Sequence, residues 1–377
     1  MGICKFCGKK DRLISEVLEV CRKCILNGDW DVIKPHISSV HAAVRQLVDL
    51  PENPPHAESS DIKLKCNFCA NECRLSAADV SYCGLRNIQK NKSGELPYPT
   101  KSRGYIHGYI DANPTNCCSA WFCPASTAAG YPEFSVSDGP ELGTYSYAAF
   151  LYGCSKNCLF CQNSSHKQFQ KRNLFESETI ATQIVKNEEV TCLCYFGGTP
   201  EPQLPFSINL AEQILEKLEK KRKFRICWEW NGTGRRDLVE KCMEIAIKTG
   251  GNIKFDLKSF NEKLNLALCG ISNSRTIENF KFLAENYFGT RGKEMPEMSG
   301  CTLMVPGYTN HEEVELIAKF ISEINPEIPY SLLVFHGDYQ MRDLPITPRK
   351  QADRCLEVAK RYLKNVHLGN KFLLGFS

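Results

Sequence analysis

The segment YSYAAFLYGCSKNCLFCQN, residues 145–163, reads as one strand running straight into a cysteine loop. Aromatic and aliphatic side chains fill positions 145–151, Gly153 ends the run, and Cys154, Cys158 and Cys161 follow in a Cys-x3-Cys-x2-Cys pattern. Three thiolates this close together on one loop can cap three irons of a single [4Fe–4S] cube. A four-cysteine set saturates such a cluster and suits plain electron transfer, whereas three ligands leave one iron free to bind and reduce something. A catalytic zinc also keeps an open position, but its usual ligands include histidine and carboxylate as well as cysteine.

C-terminal to this segment, strand-like runs alternate with amphipathic helical stretches. Strands are expected at 145–153, 190–198, 224–232, 252–258, 300–307 and 331–337, and helices near 177–188, 206–221, 235–249, 274–287, 310–324 and 348–364. Asn310 with Glu313 makes a capping pair, and Pro348 sits at a first helical position. Six βα units imply a parallel sheet, either doubly wound or a partial barrel, with the active site at the carboxyl ends of the strands. Chemically useful residues stand at those ends: Cys154, Gly197-Gly198, Asn231-Gly232, Asp256 with Lys258, Pro306-Gly307 and His336.

The chain has 377 residues, 42% of them apolar, a formal net charge of +4 and 21 cysteines. That length allows a catalytic domain with smaller modules. The charge neither demands nor excludes a nucleic-acid partner, and the basic run 220–225 reads as a solvated helix end favoured by the helix dipole. No run is long enough for a membrane span, and the opening MGICKFCGKK lacks a signal-peptide core, so the expected location is cytoplasmic. In that reducing compartment, clustered cysteines mean metal or redox chemistry rather than disulfides.

Residues 1–50 form a first module, in which Cys4, Cys7, Cys21 and Cys24 have zinc-ribbon spacing, followed by a helix over 37–50. Such a module lacks an apolar core and folds on its metal, and ribbons of this kind serve as docking surfaces for protein or RNA. Residues 51–60 read as a linker. A second module, 61–95, carries Cys66, Cys69, Cys73 and Cys83, which suit either zinc or an auxiliary [4Fe–4S] cluster. Residues 96–143 form an irregular connection bearing Cys117, Cys118 and Cys123. These serve a further centre, cover the active site, or stay unligated, since adjacent cysteines do not easily chelate one ion. Cys192 and Cys194 on the second strand, and the isolated Cys227, Cys242, Cys269 and Cys355, read as small core residues.

The cysteine loop, with Phe160 before its third cysteine and its place after a first strand, resembles the signature of the radical S-adenosylmethionine (SAM) superfamily. Gly197-Gly198-Thr199-Pro200-Glu201-Pro202 after the second strand resembles that family's GGxxP loop. Within the superfamily, residues 144–377 are similar to pyruvate formate-lyase activating enzyme and to AmmeMemoRadiSam-type relatives. The resemblance rests on Cys161-Gln162-Asn163, Asp256-Leu257-Lys258, 304–310 and Phe335-His336, and upstream on Cys66 to Gly84. It departs from those relatives in the long 96–143 connection.

The resemblance implies a (βα)6 partial TIM-like barrel with small N-terminal cysteine-rich modules. It implies a [4Fe–4S] cluster on Cys154, Cys158 and Cys161, and reductive cleavage of SAM to a 5′-deoxyadenosyl radical that takes hydrogen from a substrate. Gly197, Gly198, Thr199 and Pro200 would meet the methionine amino group, and Asn231 would join the cofactor-binding set. Asp256, Lys258 and His336 would hold the ribose and carboxylate, while Phe160 and Val305 would line the adenine. From the residues alone, Asp256 and Lys258 read equally as a salt-bridged strand end, and His336 as a core histidine. The expected partners are a protein or peptide substrate, with glycyl-radical activation as one form, and an external one-electron donor such as ferredoxin or flavodoxin. Two other readings are modification of RNA or a cofactor precursor, and a non-catalytic iron–sulfur or zinc scaffold.

Overall fold

Each of the six expected strands forms, and two more join them. In a computed structural model, which describes residues 1–169, 172–219 and 221–375, the main sheet has eight strands. They are β1 (Ile106–Ala112), β2 (Tyr145–Leu151), β3 (Val190–Gly198), β4 (Arg225–Trp230), β5 (Ile253–Asp256), β6 (Met298–Met304), β7 (Tyr330–Val334) and β8 (Val366–Gly369). They lie side by side in chain order. β2 to β8 run parallel, and β1 pairs antiparallel with β2, Ile106 opposite Leu151.

Strict chain order decides between the two expected architectures. A doubly wound sheet reverses direction at a switch point. Here no reversal occurs, so right-handed crossovers put the connecting helices on one face, as in a barrel wall. The sheet is open, with β1 and β8 at its edges. The covering helices are α2 (Ser177–Lys186), α3 (Leu204–Lys217), α4 (Arg236–Thr249), α6 (Ser274–Tyr287), α7 (His311–Ile324) and α8 (Arg349–Tyr362), after an N-terminal α1 (Trp30–Gln46) and a short α5 (Glu262–Cys269). One apolar core joins Leu193, Trp228, Phe255 and Leu332 on the sheet to Leu210, Val239, Phe280 and Ile317 on the helices. No helix among the described residues is long and apolar enough to cross a membrane.

Several expectations are corrected. The 96–143 connection is not wholly irregular, because β1 lies within it. β1 is a largely exposed edge strand whose Gly108 sits where a Cβ would strike the Tyr147 ring, so it shows no hydrophobic alternation. β8 has only four residues. α1 begins at Trp30, not at residue 37: Asp29 caps it, and Pro35, close to the N-terminus, deprives the helix of a single backbone bond. Asn310 caps α7 as expected, but Pro348 is itself the cap of α8. The 51–60 linker is paired in part, His56 bridging to Arg74.

The basic run is solvated only in part: Lys221 is exposed, but the two arginines are engaged. Arg222 donates to the carbonyls of Val185, Asn187 and Val190, and Arg225 is buried against Glu141; Lys220 lies outside the described residues. The N-terminal module does have an apolar core, and it shares that core with the cysteine loop. Cys4, Leu18, Ile25 and Ile37 pack in one cluster with Cys158, Leu159, Phe160, Val305 and Tyr308. Tyr308 Oη accepts from the Ser15 amide at 3.0 Å and donates to the Val20 carbonyl at 2.9 Å.

Candidate active site

Parallel strands carry their carboxyl ends to one edge of the sheet, and there the cysteine loop leaves β2. Gly153 takes φ +81°, and a Cβ on it would meet the side chain of Leu85 and the carbonyl of Cys83, so the turn requires glycine. The loop is then braced on three sides. The amides of Asn157 and Leu159 donate to the carbonyls of Cys269 and Leu268, and the Leu159 carbonyl accepts from the Gln340 amide. The Asn157 side chain bridges Lys167 Nζ and His41 Nδ1, each at 2.9 Å.

Cys154, Cys158 and Cys161 line one cavity of about 750 Å3 with Lys156, Lys167 and Lys258. Burial pushes the Cys154 thiol up to about 12, and the neighbouring Cys158 adds to this. Cys158 is brought down to about 6 by the Cys269 thiol against it, burial opposing and Lys258, Lys156 and Lys167 assisting. The amide of Lys156 and the side-chain amide of Asn231 donate to Cys154 Sγ at 3.3 and 3.5 Å. Among the described residues the three sulfurs do not close to the 4.8 Å mutual spacing of a single-ion site. Three thiols on one loop, spread wider than one ion needs, amid amide donors and ammonium groups, suit a polynuclear cluster with an exposed corner.

Opposite the loop stand the ends of β3, β4 and β5. Gly197 and Gly198 line the cavity, and each also fits β2 closely: a Cβ on Gly197 would meet the Phe150 ring, and one on Gly198 the Leu151 carbonyl. Thr199 and Pro200 do not line the cavity. Buried Thr199 donates to Glu201, whose carboxylate accepts from the Thr233 amide at 3.0 Å, and Thr233 Oγ1 reaches Ser155 Oγ at 2.8 Å. That chain ties the turn after β3 to the turn after β4 and to the cysteine loop.

Asp256 is a salt-bridged strand end that also lines the cavity. It is ion-paired to Lys254 at 2.7 Å and to Lys258 at 2.8 Å, and all three line the cavity. Burial alone would raise its carboxyl, but the two ammonium groups hold it well below the usual carboxylate range. Lys254 also contacts Glu229 at 3.0 Å, and Lys258 lies 5.8 Å from the centroid of the Phe160 ring. Phe160 and Asn231 are on the wall. Val305 is buried in the cluster shared with the N-terminal module, and half-buried His336 is off the wall as well.

The far wall comes from two places the sequence left blank. Residues 114–121 and 367–372 meet where Trp121 stacks on His367 at 5.5 Å, and Trp121 Nε1 donates to Ser331 Oγ at 3.1 Å. Cys117 and Cys118 reach Glu229, while Cys123 does not line the cavity itself but bonds to Ser126, which does. Three cysteines read as core residues are buried and also have polar neighbours: Cys192 accepts from Arg225, Cys194 lies 4.0 Å from Glu229, and Cys269 packs beside Cys158. Glu229, Lys254 and Cys301 went unremarked in the sequence because they sit inside strands. Alternation from Trp228 and Trp230 would have aimed Glu229 to the opposite face, which is the signal that was available.

The two outlying cysteine sets differ in spacing. The sulfurs of Cys4, Cys7, Cys21 and Cys24 all lie within 4.8 Å of one another, with Cys7 and Cys21 at 3.8 Å. Tetrahedral zinc with bonds of about 2.3 Å places its sulfurs about 3.8 Å apart. Against the cost of burial, the amides of Cys21, Phe6 and Cys7 bring Cys4 down to about 7. Cys66, Cys69, Cys73 and Cys83 are all buried but do not close as a set to single-ion spacing among the described residues. Burial raises Cys66, Cys69 and Cys73, and Cys83 raises each further. This module docks beside the cysteine loop, Asn71 Nδ2 donating to the Ser155 carbonyl at 2.9 Å and Cys69 bridging to Gly234.

With the geometry in place, residues 149–321 match the family model of the Radical SAM superfamily. The chain is 24% identical over 220 residues to "Putative glycyl-radical enzyme activating enzyme MJ1632" of Methanocaldococcus jannaschii, covering 57% of this chain and 77% of that protein. It is 26% identical over 157 residues to pyruvate formate-lyase 1-activating enzyme of Escherichia coli K12, covering 39% of this chain and 58% of that enzyme. Among solved structures, a domain of pyruvate-formate lyase-activating enzyme from Bacteroides vulgatus aligns with a TM-score of 0.38 at 18% identity, over 47% of this chain and 98% of that one.

Proposed function

We propose, from the radical SAM domain that residues 149–321 carry, that the protein cleaves SAM reductively and uses the resulting radical to take a hydrogen atom from a protein or peptide. One observation carries this reading: three thiols of a single loop line one cavity with Gly197, Gly198, Asp256 and Lys258. When bound, a [4Fe–4S] cluster and SAM supply the electron and the 5′-deoxyadenosyl radical.

The chain's own residues do the rest. Cys154, Cys158 and Cys161 hold the cluster, and the amides on Cys154 Sγ stabilise its reduced, more negative state. The two glycines let backbone approach the cofactor's amino-acid end. Asp256 and Lys258, already paired, offer a fixed carboxylate and ammonium for its ribose and carboxylate, and Phe160 offers a ring face for its adenine. Thr199 and Glu201 act behind the wall by holding Asn231 and Ser155 in place. The 114–121 and 367–372 segments wall the cavity and so shield a radical from oxygen and from stray hydrogen-atom donors.

Spacing favours zinc in the N-terminal set, while the second set, which suits zinc or an auxiliary iron–sulfur cluster, lies beside the cysteine loop, and an external ferredoxin or flavodoxin would supply the electron. The relatives' names support a glycyl-radical protein as the substrate class.

Anaerobically reconstituted, reduced protein should convert SAM to 5′-deoxyadenosine and methionine, and a Cys154→Ala/Cys158→Ala/Cys161→Ala variant should form none. A fully loaded cluster that leaves SAM intact would favour an iron–sulfur scaffold instead.

A further inference from the structure

The cavity holds a second set of metal-ligating groups across from the cysteine loop. Cys117 and Cys118 are adjacent in sequence, yet both thiols end on one carboxylate. Cys117 Sγ is 3.0 Å from Glu229 Oε1, and Cys118 Sγ is 3.8 Å from Oε2. One ligand atom from each of the three residues lies within 4.8 Å of the others. The objection that adjacent cysteines do not share an ion therefore fails here, because the carboxylate comes from β4 and meets both side chains from across the sheet.

The surroundings are built for charge. Glu229 is 9% exposed and ion-paired to Lys254 at 3.0 Å, which offsets the negative charge that two thiolates and a carboxylate would leave on a divalent ion. Cys301 on β6 packs against Cys118, and Cys194 on β3 lies 4.0 Å from Glu229 Oε1. The strap that carries the two cysteines is held from below, the Cys118 carbonyl accepting from Ser331 Oγ at 2.8 Å. None of these groups belongs to the cysteine loop or to the residues facing it that were assigned above to the cofactor.

We infer that Cys117, Cys118 and Glu229 form a mononuclear site for a thiophilic divalent cation, zinc by preference, opening into the radical cavity. Two sulfurs and one oxygen at single-ion spacing suit a borderline-soft ion that takes thiolate at about 2.3 Å and carboxylate at about 2.0–2.2 Å. Three protein ligands leave a fourth position, as zinc sites that bind substrate do. Cys117, Cys118 and Glu229 line the same cavity as Cys154, Cys158 and Cys161, so that position faces the space where hydrogen abstraction would occur. The ion anchors a substrate donor atom, a thiolate, imidazole or carboxylate, in front of the radical. This anchoring role rests on the radical SAM reading; the metal site itself does not.

The test reads the metal without SAM. Anaerobically purified wild-type holoprotein is treated with iodoacetamide, with and without a zinc chelator, and alkylation is followed by mass spectrometry on the peptide bearing Cys117 and Cys118. Thiolates held on a metal are poor nucleophiles, so chelation should raise the alkylation rate about tenfold or more, and added zinc should restore protection. In parallel, Glu229→Gln and Cys117→Ser/Cys118→Ser variants should each hold one zinc per chain fewer than wild type with iron unchanged. An alkylation rate indifferent to chelation, or a Cys117–Cys118 disulfide in the untreated protein, overturns the site. Footprinting uses only wild-type protein, so it decides the matter even where a variant fails to fold. Zinc found at this site in a protein that never cleaves SAM would sink the radical reading and leave the ion.

Discussion

Asp256 has a structural task, and the proposed function gives it a chemical one. It is buried between two ammonium groups, so it must stay ionised to hold them. Its folded-state pKa is depressed, which means the stability it contributes is present above its unfolded pKa and is lost only as the pH falls through the much lower folded value. SAM cleavage should therefore show no limb set by Asp256 anywhere near neutrality. Asp256→Asn keeps the shape but removes the charge that Lys254 and Lys258 share. Because charge-assisted hydrogen bonds are worth roughly 1.5–3 kcal/mol, KM for SAM should rise about ten- to a hundredfold. Rates of 5′-deoxyadenosine formation across SAM concentrations check this, and an unchanged KM and kcat would remove Asp256 from the cofactor site.

At the scale of elements, the least legible segment turned out to close the site. The strap ahead of β2 is fastened to the sheet by several contacts, among them one buried ion pair. Glu141 receives both arms of the Arg225 guanidinium, at 2.7 and 2.5 Å, and also Thr191 Oγ1 at 2.9 Å. The partners are 0% and 2% exposed, and Arg225 also holds the Phe134 carbonyl. Breaking a buried pair strands the remaining charge, so Glu141→Ala should lower stability by about 3–5 kcal/mol, read from denaturant unfolding. A loss below about 1 kcal/mol would show that the clamp is dispensable, as exposed pairs are. The N-terminal module is fastened differently, by a core shared with Phe160 and Val305 behind the cysteine loop.

Over the whole molecule, what was legible was what periodicity and spacing encode. The six central strands, their helices and the Cys154–Cys161 loop follow from alternation of apolar runs and from cysteine intervals. What escaped was set by long-range contacts. β1 has no pattern of its own because only pairing with β2 makes it a strand, and Glu229, Lys254 and Cys301 gain their meaning only where neighbouring strands bring them together. Val305 and His336 sit at the expected strand ends but off the cavity wall, since position along a strand does not fix which way a side chain faces after the strand has ended. The strict chain order of the sheet, which gathers every carboxyl end on one edge, was only one of two options before the pairing was seen.

The proposed function requires an iron corner that no protein side chain closes. Electron paramagnetic resonance of the singly reduced cluster, recorded before and after SAM is added, tests it most directly. SAM coordinating an open iron should shift the g-values and change the line shape of the cluster in wild-type protein. A spectrum identical with and without SAM, from a cluster shown to carry its full iron, would mean that a fourth ligand already occupies the corner.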